Sequence, residues 1–288
     1  MVHHQENRAI LLVTCQDKPG IVSAISTLLF HHHANIVQSD QYSTDPEHGR
    51  FFMRVEFEWE ESKANFQSIQ EALKQIAQEY AFTYKIEKAN RKKQMAIFVS
   101  KENHCLSEIL WKWKAGELYA DIPLVISNHK DAQEEVESYG IPFYHIPATK
   151  ENRKEAEEQA IQLLKDHQIE LVVLARYMQI LSSSFVSQFP ERIINIHHSF
   201  LPAFIGANPY VKAFERGVKL IGATAHYVTD DLDEGPIIEQ DVMRVDHRHS
   251  AKDLKIVGRN IERIALARAV QWHLDDRCIV HQNKTIVF

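Results

Sequence analysis

The sequence predicts an α/β chain in two domains: a small α+β domain over 1–90 and a larger domain with a mainly parallel sheet over 91–288. Three observations carry this. Short apolar runs of strand length alternate with stretches whose apolar residues recur every three or four positions. The polar, basic stretch Ala89-Asn90-Arg91-Lys92-Lys93-Gln94 interrupts that alternation and reads as a solvated linker. The chain has 288 residues, 44% of them hydrophobic, enough for one large or two medium cores.

In the first domain, Ile10-Leu11-Leu12-Val13 is a buried strand signal. Gln16-Asp17-Lys18-Pro19-Gly20 is a turn with proline at a helix start. Ile21, Ile25, Leu28 and Leu29 then recur at helical spacing, and His31-His32-His33 fall where cations favour a helix end. Ser43, Asp45, Pro46 and Gly49 mark a turn, after which Phe51, Met53, Val55 and Phe57 alternate as in a half-buried strand. Phe66, Ile69, Leu73, Ile76 and Ala77 give a second amphipathic helix, and Phe82 to Ile86 a closing strand. The order β-α-β-β-α-β is that of a ferredoxin-like unit.

In the second domain, strands are expected at Met95 to Val99, Ile122 to Ile126, Phe143 to Ile146, Leu171 to Leu174 and Ile193 to Ile196. Helices are expected from Leu106 to Trp113, from Asp131, and from Lys154 to Asp166 with Ala160, Ile161, Leu163 and Leu164 inward. Ile237-Ile238 and Val242 suggest a returning strand, Ala251 to Leu274 a long helix and Thr285 to Phe288 a short strand. Strands alternating with helices build a Rossmann-like domain with a mainly parallel sheet, whose ligands sit at the carboxyl ends of the strands.

Composition excludes several classes. A net charge of -6 leaves no basic footprint for nucleic acid. No apolar run approaches the ~20 residues of a membrane helix. Met1 to Arg8 is polar and lacks the apolar core of a signal peptide, so a cytoplasmic protein is expected. Cys15, Cys105 and Cys278 are odd in number and far apart, which disfavours disulfides and a cysteine zinc site. The runs His3-His4 and His31-His32-His33 point their side chains apart, and no metal is expected.

The turn Asp17-Lys18-Pro19-Gly20-Ile21-Val22, in its β-α-β-β-α-β setting, resembles that of an ACT domain, a small regulatory module. The resemblance implies a possible amino-acid effector held near Asp17 and Gly20, where free helix N–H groups can receive a carboxylate. The alternative is a turn that only shapes a domain used for assembly.

The strongest chemical signal is Asn195-Ile196-His197-His198-Ser199-Phe200-Leu201-Pro202, followed by Thr229-Asp230-Asp231-Leu232-Asp233-Glu234-Gly235-Pro236. Two strand ends can bring the amide of Asn195, the imidazole of His197 and the carboxylate of Asp233 together. Amide and imidazole N–H groups stabilise the oxyanion formed by attack on a carbonyl, and losing one such donor typically costs ~3–4 kcal/mol. A carboxylate beside them can orient water and move its proton. Glu234 should point elsewhere, His226 support the set, and His198 alternate to the other face as packing.

The motif Asn195-x-His197 with Leu232-Asp233-x-Gly235-Pro236 resembles the catalytic domain of glycinamide ribonucleotide formyltransferase and its relatives. That likeness implies Asn195, His197 and Asp233 as catalytic residues and 10-formyltetrahydrofolate as formyl donor. Leu174-Ala175-Arg176-Tyr177-Met178-Gln179-Ile180-Leu181 resembles the folate segment, so Leu174, Met178 and Leu181 are expected to line the pocket, with His226 and Asp230 completing it. Those transferases hold a phosphate on a glycine-rich turn. Here Ser100-Lys101-Glu102-Asn103-His104-Cys105-Leu106 has no glycine, and Glu102 should repel a phosphate.

The run from His197 to Tyr210 and the ACT-like first domain together resemble the formyltetrahydrofolate deformylases over the whole chain. The implied reaction is hydrolysis of 10-formyltetrahydrofolate to formate and tetrahydrofolate, supplying formate for purine synthesis and balancing the one-carbon pool, with no cofactor. Phe200, Phe204 and Tyr210 are candidates for narrowing the acceptor side; the role of Asn208 is open. ACT likeness favours a homodimer or homotetramer. The alternatives are a formyltransferase to an amine such as glycinamide ribonucleotide, and a non-catalytic protein that senses folate or an amino acid.

Overall fold

Two β-α-β halves build the first unit of the structure, a computed structural model that describes residues 6–45, 49–202 and 209–288. Its elements are β1 (Arg8–Gln16), α1 (Ile21–His31), β2 (Ala34–Ser43), β3 (Arg50–Trp59), α2 (Phe66–Glu79) and β4 (Thr83–Lys88). The sheet is antiparallel in the order β2-β3-β1-β4. Ile21, Ile25 and Leu29 of α1 and Ile69 and Leu73 of α2 bury against Leu11, Val13, Met53, Val55 and Phe57. Asn65 caps α2 by accepting from Ser68 N at 2.8 Å.

β3 departs from the expected half-buried pattern, because both of its faces are covered. Phe52, Arg54 and Glu56, opposite the helix-packed face, are as buried as Met53 and Val55. Arg54 donates from Nε to Asp276 O (3.1 Å) and from Nη2 to Asp275 O (3.3 Å) and to Glu56 Oε2 (3.3 Å). Arg8 donates to Glu56 Oε1 at 3.1 Å. The covering segment, Asp275–Ile279, belongs to this unit although it comes from the far end of the chain. A period-2 pattern cannot report such a cover.

The second unit begins at Lys92. Its elements are β5 (Lys93–Val99), α3 (His104–Lys114), β6 (Ala120–Ser127), α4 (Gln133–Ser138), β7 (Phe143–His145), α5 (Arg153–Asp166), β8 (Leu171–Ala175), α6 (Ser183–Val186), β9 (Ile193–His197), α7 (Pro209–Arg216), β10 (Leu220–Tyr227), β11 (Ile237–Arg244) and α8 (Ala251–Leu274). A hairpin of β12 (Cys278–His281) and β13 (Lys284–Val287) follows. The expected solvated joint is therefore shorter than Ala89 to Gln94. Lys93 is buried in β5, and its ammonium meets the carbonyls of His273 (3.1 Å) and Leu274 (2.8 Å) at the end of α8.

The seven-stranded sheet runs β11-β10-β9-β8-β5-β6-β7. Pairing is parallel from β9 through β7 and antiparallel at β9-β10 and β10-β11, so the sheet is mainly parallel as predicted. Ala96, Phe98, Leu124, Val172 and Leu174 pack with Ala160 and Leu164 of α5 and with Phe185 and Phe189. No helix among the described residues is long and apolar enough to cross a membrane.

Candidate active site

The ends of β8 and β9 open onto a cavity of about 520 Å³. Asn195, His197 and Asp233 line it, and so do Leu174, Met178, Leu181, His226 and Asp230. Strand pairing brings the polar groups together. β9 and β10 are antiparallel with Asn195 opposite His226, so their side chains share one face. His226 Nδ1 donates to Tyr227 O (2.9 Å), which turns Nε2 toward Asn195 Nδ2 (3.3 Å) and Asp233 Oδ1 (3.6 Å).

Asp233 arrives on the loop between β10 and β11. Its own backbone is left-handed (φ 58°), a conformation that non-glycine residues rarely adopt outside constrained sites. Two residues on, a Cβ at Gly235 would fall 1.8 Å from Tyr227 O, so only glycine lets the loop pass this close to β10. Asp233 Oδ2 accepts from His197 Nδ1 at 3.1 Å. Burial pushes the Asp233 carboxyl up, but the hydrogen bond from His197 and the nearby His226 ring outweigh it and hold the group well below the usual carboxylate range. Because a carboxylate only accepts, His197 carries its proton on Nδ1. His197 is buried, and its Nε2 makes no hydrogen bond among the described residues.

His198 does not turn away as alternation suggested. β9 ends at His197, the strand period lapses there, and the His198 ring stacks on that of His197 with centroids 5.3 Å apart and planes at 20°. It lines the same cavity. Arg176, the residue after β8, donates from Nη1 to His198 Nδ1 at 2.6 Å.

Glu102 also differs from its expected role. Lys255 (2.6 Å), Arg176 (3.1 Å) and Arg259 (3.2 Å) surround its carboxylate, so it fills a cationic cluster instead of standing as a free negative charge. Phe200 is exposed and lines a separate cavity of about 320 Å³, whereas Tyr210 lines both. Phe204 and Asn208, like His3, His4 and Pro46, lie outside the described residues. In the first unit, Asp17 Oδ2 accepts from Ser43 Oγ (2.6 Å), and Gly20 precedes α1 at φ 96°.

Sequence reasoning missed Arg176, Glu102 as a partner, and Glu262. Glu262 is buried on α8 and takes contacts from His104 Nε2 (2.8 Å), Arg176 Nε (3.4 Å) and the Tyr210 hydroxyl. The available signal was a carboxylate at a position where α8 turns apolar residues inward, beside Ile261, Ala265 and Leu266.

A mainly parallel α/β domain thus carries an amide, an imidazole and a carboxylate at one cavity and is preceded by a ferredoxin-like unit. Residues 93–270 match the formyl transferase family and residues 9–78 the ACT domain family. The chain is 59% identical over 283 residues to formyltetrahydrofolate deformylase of Bacillus subtilis (strain 168), covering 98% of this chain and 94% of that one. It is 50% identical to the deformylase of Synechocystis sp., with 99% of each chain covered. A crystal structure of a formyltetrahydrofolate deformylase from Pseudomonas syringae pv. tomato superposes with a TM-score of 0.94 at 44% identity, covering 99% of this chain and 95% of that one. The chain belongs to the formyltetrahydrofolate deformylase family.

Proposed function

We propose that this protein hydrolyses 10-formyltetrahydrofolate to formate and tetrahydrofolate. Similarity to deformylases over both units supports water as the acceptor over an amine. The observation that carries the mechanism is the buried His197, tied to Asp233 through Nδ1 while Nε2 makes no bond among the described residues.

The proposed steps follow from that tautomer. The folate lies against Leu174, Met178 and Leu181, with Asp230 and His226 at the polar side. Water attacks the formyl carbon while His197 Nε2 takes its proton. The negative charge on the formyl oxygen is held by an Asn195 N–H. The imidazolium is stabilised by Asp233, and Nε2 then gives its proton to N10 as the C–N bond breaks. This division of labour differs from the sequence-level expectation. A carboxylate that holds two imidazoles and sits low in pKa is a weak base, so Asp233 serves as orienter and counter-charge and His197 moves the proton.

The remaining assignments belong to the same proposal. A small amino-acid effector binds near Asp17 and Gly20, the chain assembles as a homodimer or homotetramer, and it works in the cytoplasm without a cofactor. The deciding assay is formate release from 10-formyltetrahydrofolate in EDTA, with and without glycinamide ribonucleotide. Release without the amine supports hydrolysis by these groups alone; turnover only with the amine would make the protein a transferase.

A further inference from the structure

We propose that Arg176 is a positioning residue for this reaction: it holds His198 as a neutral imidazole, protonated on Nε2 only, face to face with His197. The proposal rests on the hydrolytic reading above. Arg176 occupies a left-handed backbone position (φ 63°) and is buried. Such an outlier persists only where its surroundings fix it, and it clusters at functional sites. Here it aims the guanidinium back across the strand ends, with Nη1 2.6 Å from His198 Nδ1. A guanidinium only donates and does not deprotonate, so Nδ1 must accept and the ring proton resides on Nε2.

Two carboxylates keep the buried cation in place, Glu102 at 3.1 Å from Nη2 and Glu262 at 3.4 Å from Nε. Among the described residues, several elements around His198 contribute a group. Arg176 comes from the end of β8, His197 from β9, Glu262 from α8 and Asp233 from the loop before β11. Tyr210 of α7 lies with its ring 6.1 Å away, and Lys255 of α8 lines the same cavity. Burial and Arg176 lower the His198 pKa to about 4, against the opposing pull of Glu262 and Asp233.

The arrangement matters because His197 must become positive as it takes the proton from water. Its ring stacks on His198 at 5.3 Å. A second positive charge at that distance would oppose the proton transfer. With His198 fixed as neutral, the charge His197 touches directly is the Asp233 carboxylate, and one imidazole of the stacked pair carries the proton.

Ring-nitrogen NMR of the full chain, with His198→Asn to assign the signal, tests this directly. The expected spectrum shows His198 unprotonated at Nδ1 from pH 8 down to pH 5.5. A His198 ring titrating between pH 6 and 7 in the unmodified protein overturns the proposal. In Arg176→Met the ring should titrate at a higher pH than in the parent, with burial and His197 left to oppose the pull of Glu262 and Asp233. The kcat for formate release should then fall further between pH 8 and pH 5.5 than in the parent, and Arg176→Lys should reverse that extra fall. A pH profile unchanged by Arg176→Met also overturns it. If that variant fails to fold, the titration of the unmodified protein decides alone. A chain that keeps His198 neutral yet releases no formate contradicts the hydrolytic reading and leaves the clamp standing.

Discussion

Replacing Asp233 with Asn removes one charge while keeping an oxygen that can still face His197 Nδ1. The carboxylate stands 3.1 Å from that nitrogen. At an effective dielectric of ~20, a unit charge pair at this distance is worth about 5 kcal/mol. The amide oxygen retains part of this as a neutral hydrogen bond, worth about 1 kcal/mol. The imidazolium formed during attack should therefore lose about 3–4 kcal/mol of stabilisation, and kcat should fall about 10²–10³-fold. Because the interaction strengthens only as His197 gains its proton, KM should change far less than kcat. A coupled formate dehydrogenase assay reads the rate, and near-ultraviolet circular dichroism checks the fold. A folded Asp233→Asn protein turning over within fivefold of the parent refutes the role given to Asp233.

Three further outcomes are expected. Gly235→Ala places a Cβ 1.8 Å from Tyr227 O, so the Asp233 loop must move, and kcat should drop at least tenfold with far-ultraviolet circular dichroism unchanged. Arg54→Met strips a buried cation from Glu56 and from two carbonyls, and urea unfolding should show a loss of about 3–5 kcal/mol. Burial pushes the Glu102 carboxyl up, but Lys255, Arg176 and Arg259 outweigh it and bring its pKa from 4.5 to about 2. A depressed pKa stabilises the fold above about pH 4.5, and that contribution fades as pH falls toward 2. Thermal melts should thus drop over this window, and more shallowly in Glu102→Gln; equal slopes would exclude Glu102 as a source of acid lability.

Much of the fold was legible because its signals are local. Ile21, Ile25, Leu28 and Leu29 mark α1 by spacing alone, and the bounds expected for α8 match its observed span. Asn195, His197 and Asp233 were legible as a set because residue type and neighbouring turns both point to strand ends. What stayed hidden depends on partners distant in sequence. The second face of β3 is buried by a segment more than two hundred positions away. β10, with Gly222, Ala223, Thr224 and Ala225 at its centre, has too little apolar contrast to announce a strand. Arg176 appears in the sequence only as one residue of the folate-like segment, with nothing to single it out. Only the structure shows it turned inward by a left-handed backbone and neutralised from α3's N-terminal loop and from α8.

The pairing of Asn195 with His226 has a consequence for how the protein acquires activity. The two residues are 31 positions apart and meet only when β10 docks beside β9. Slippage by one residue would turn His226 to the opposite side of the sheet. On the proposed assignment, catalytic competence should be a late-arriving property of a long-range ladder, since such contacts form slowly when loop closure must precede them. A refolding chain should regain its helical signal before it releases formate. If the proposed folate site is right, a folate analogue added during refolding should favour the correctly registered sheet and stabilise the second unit by mass action.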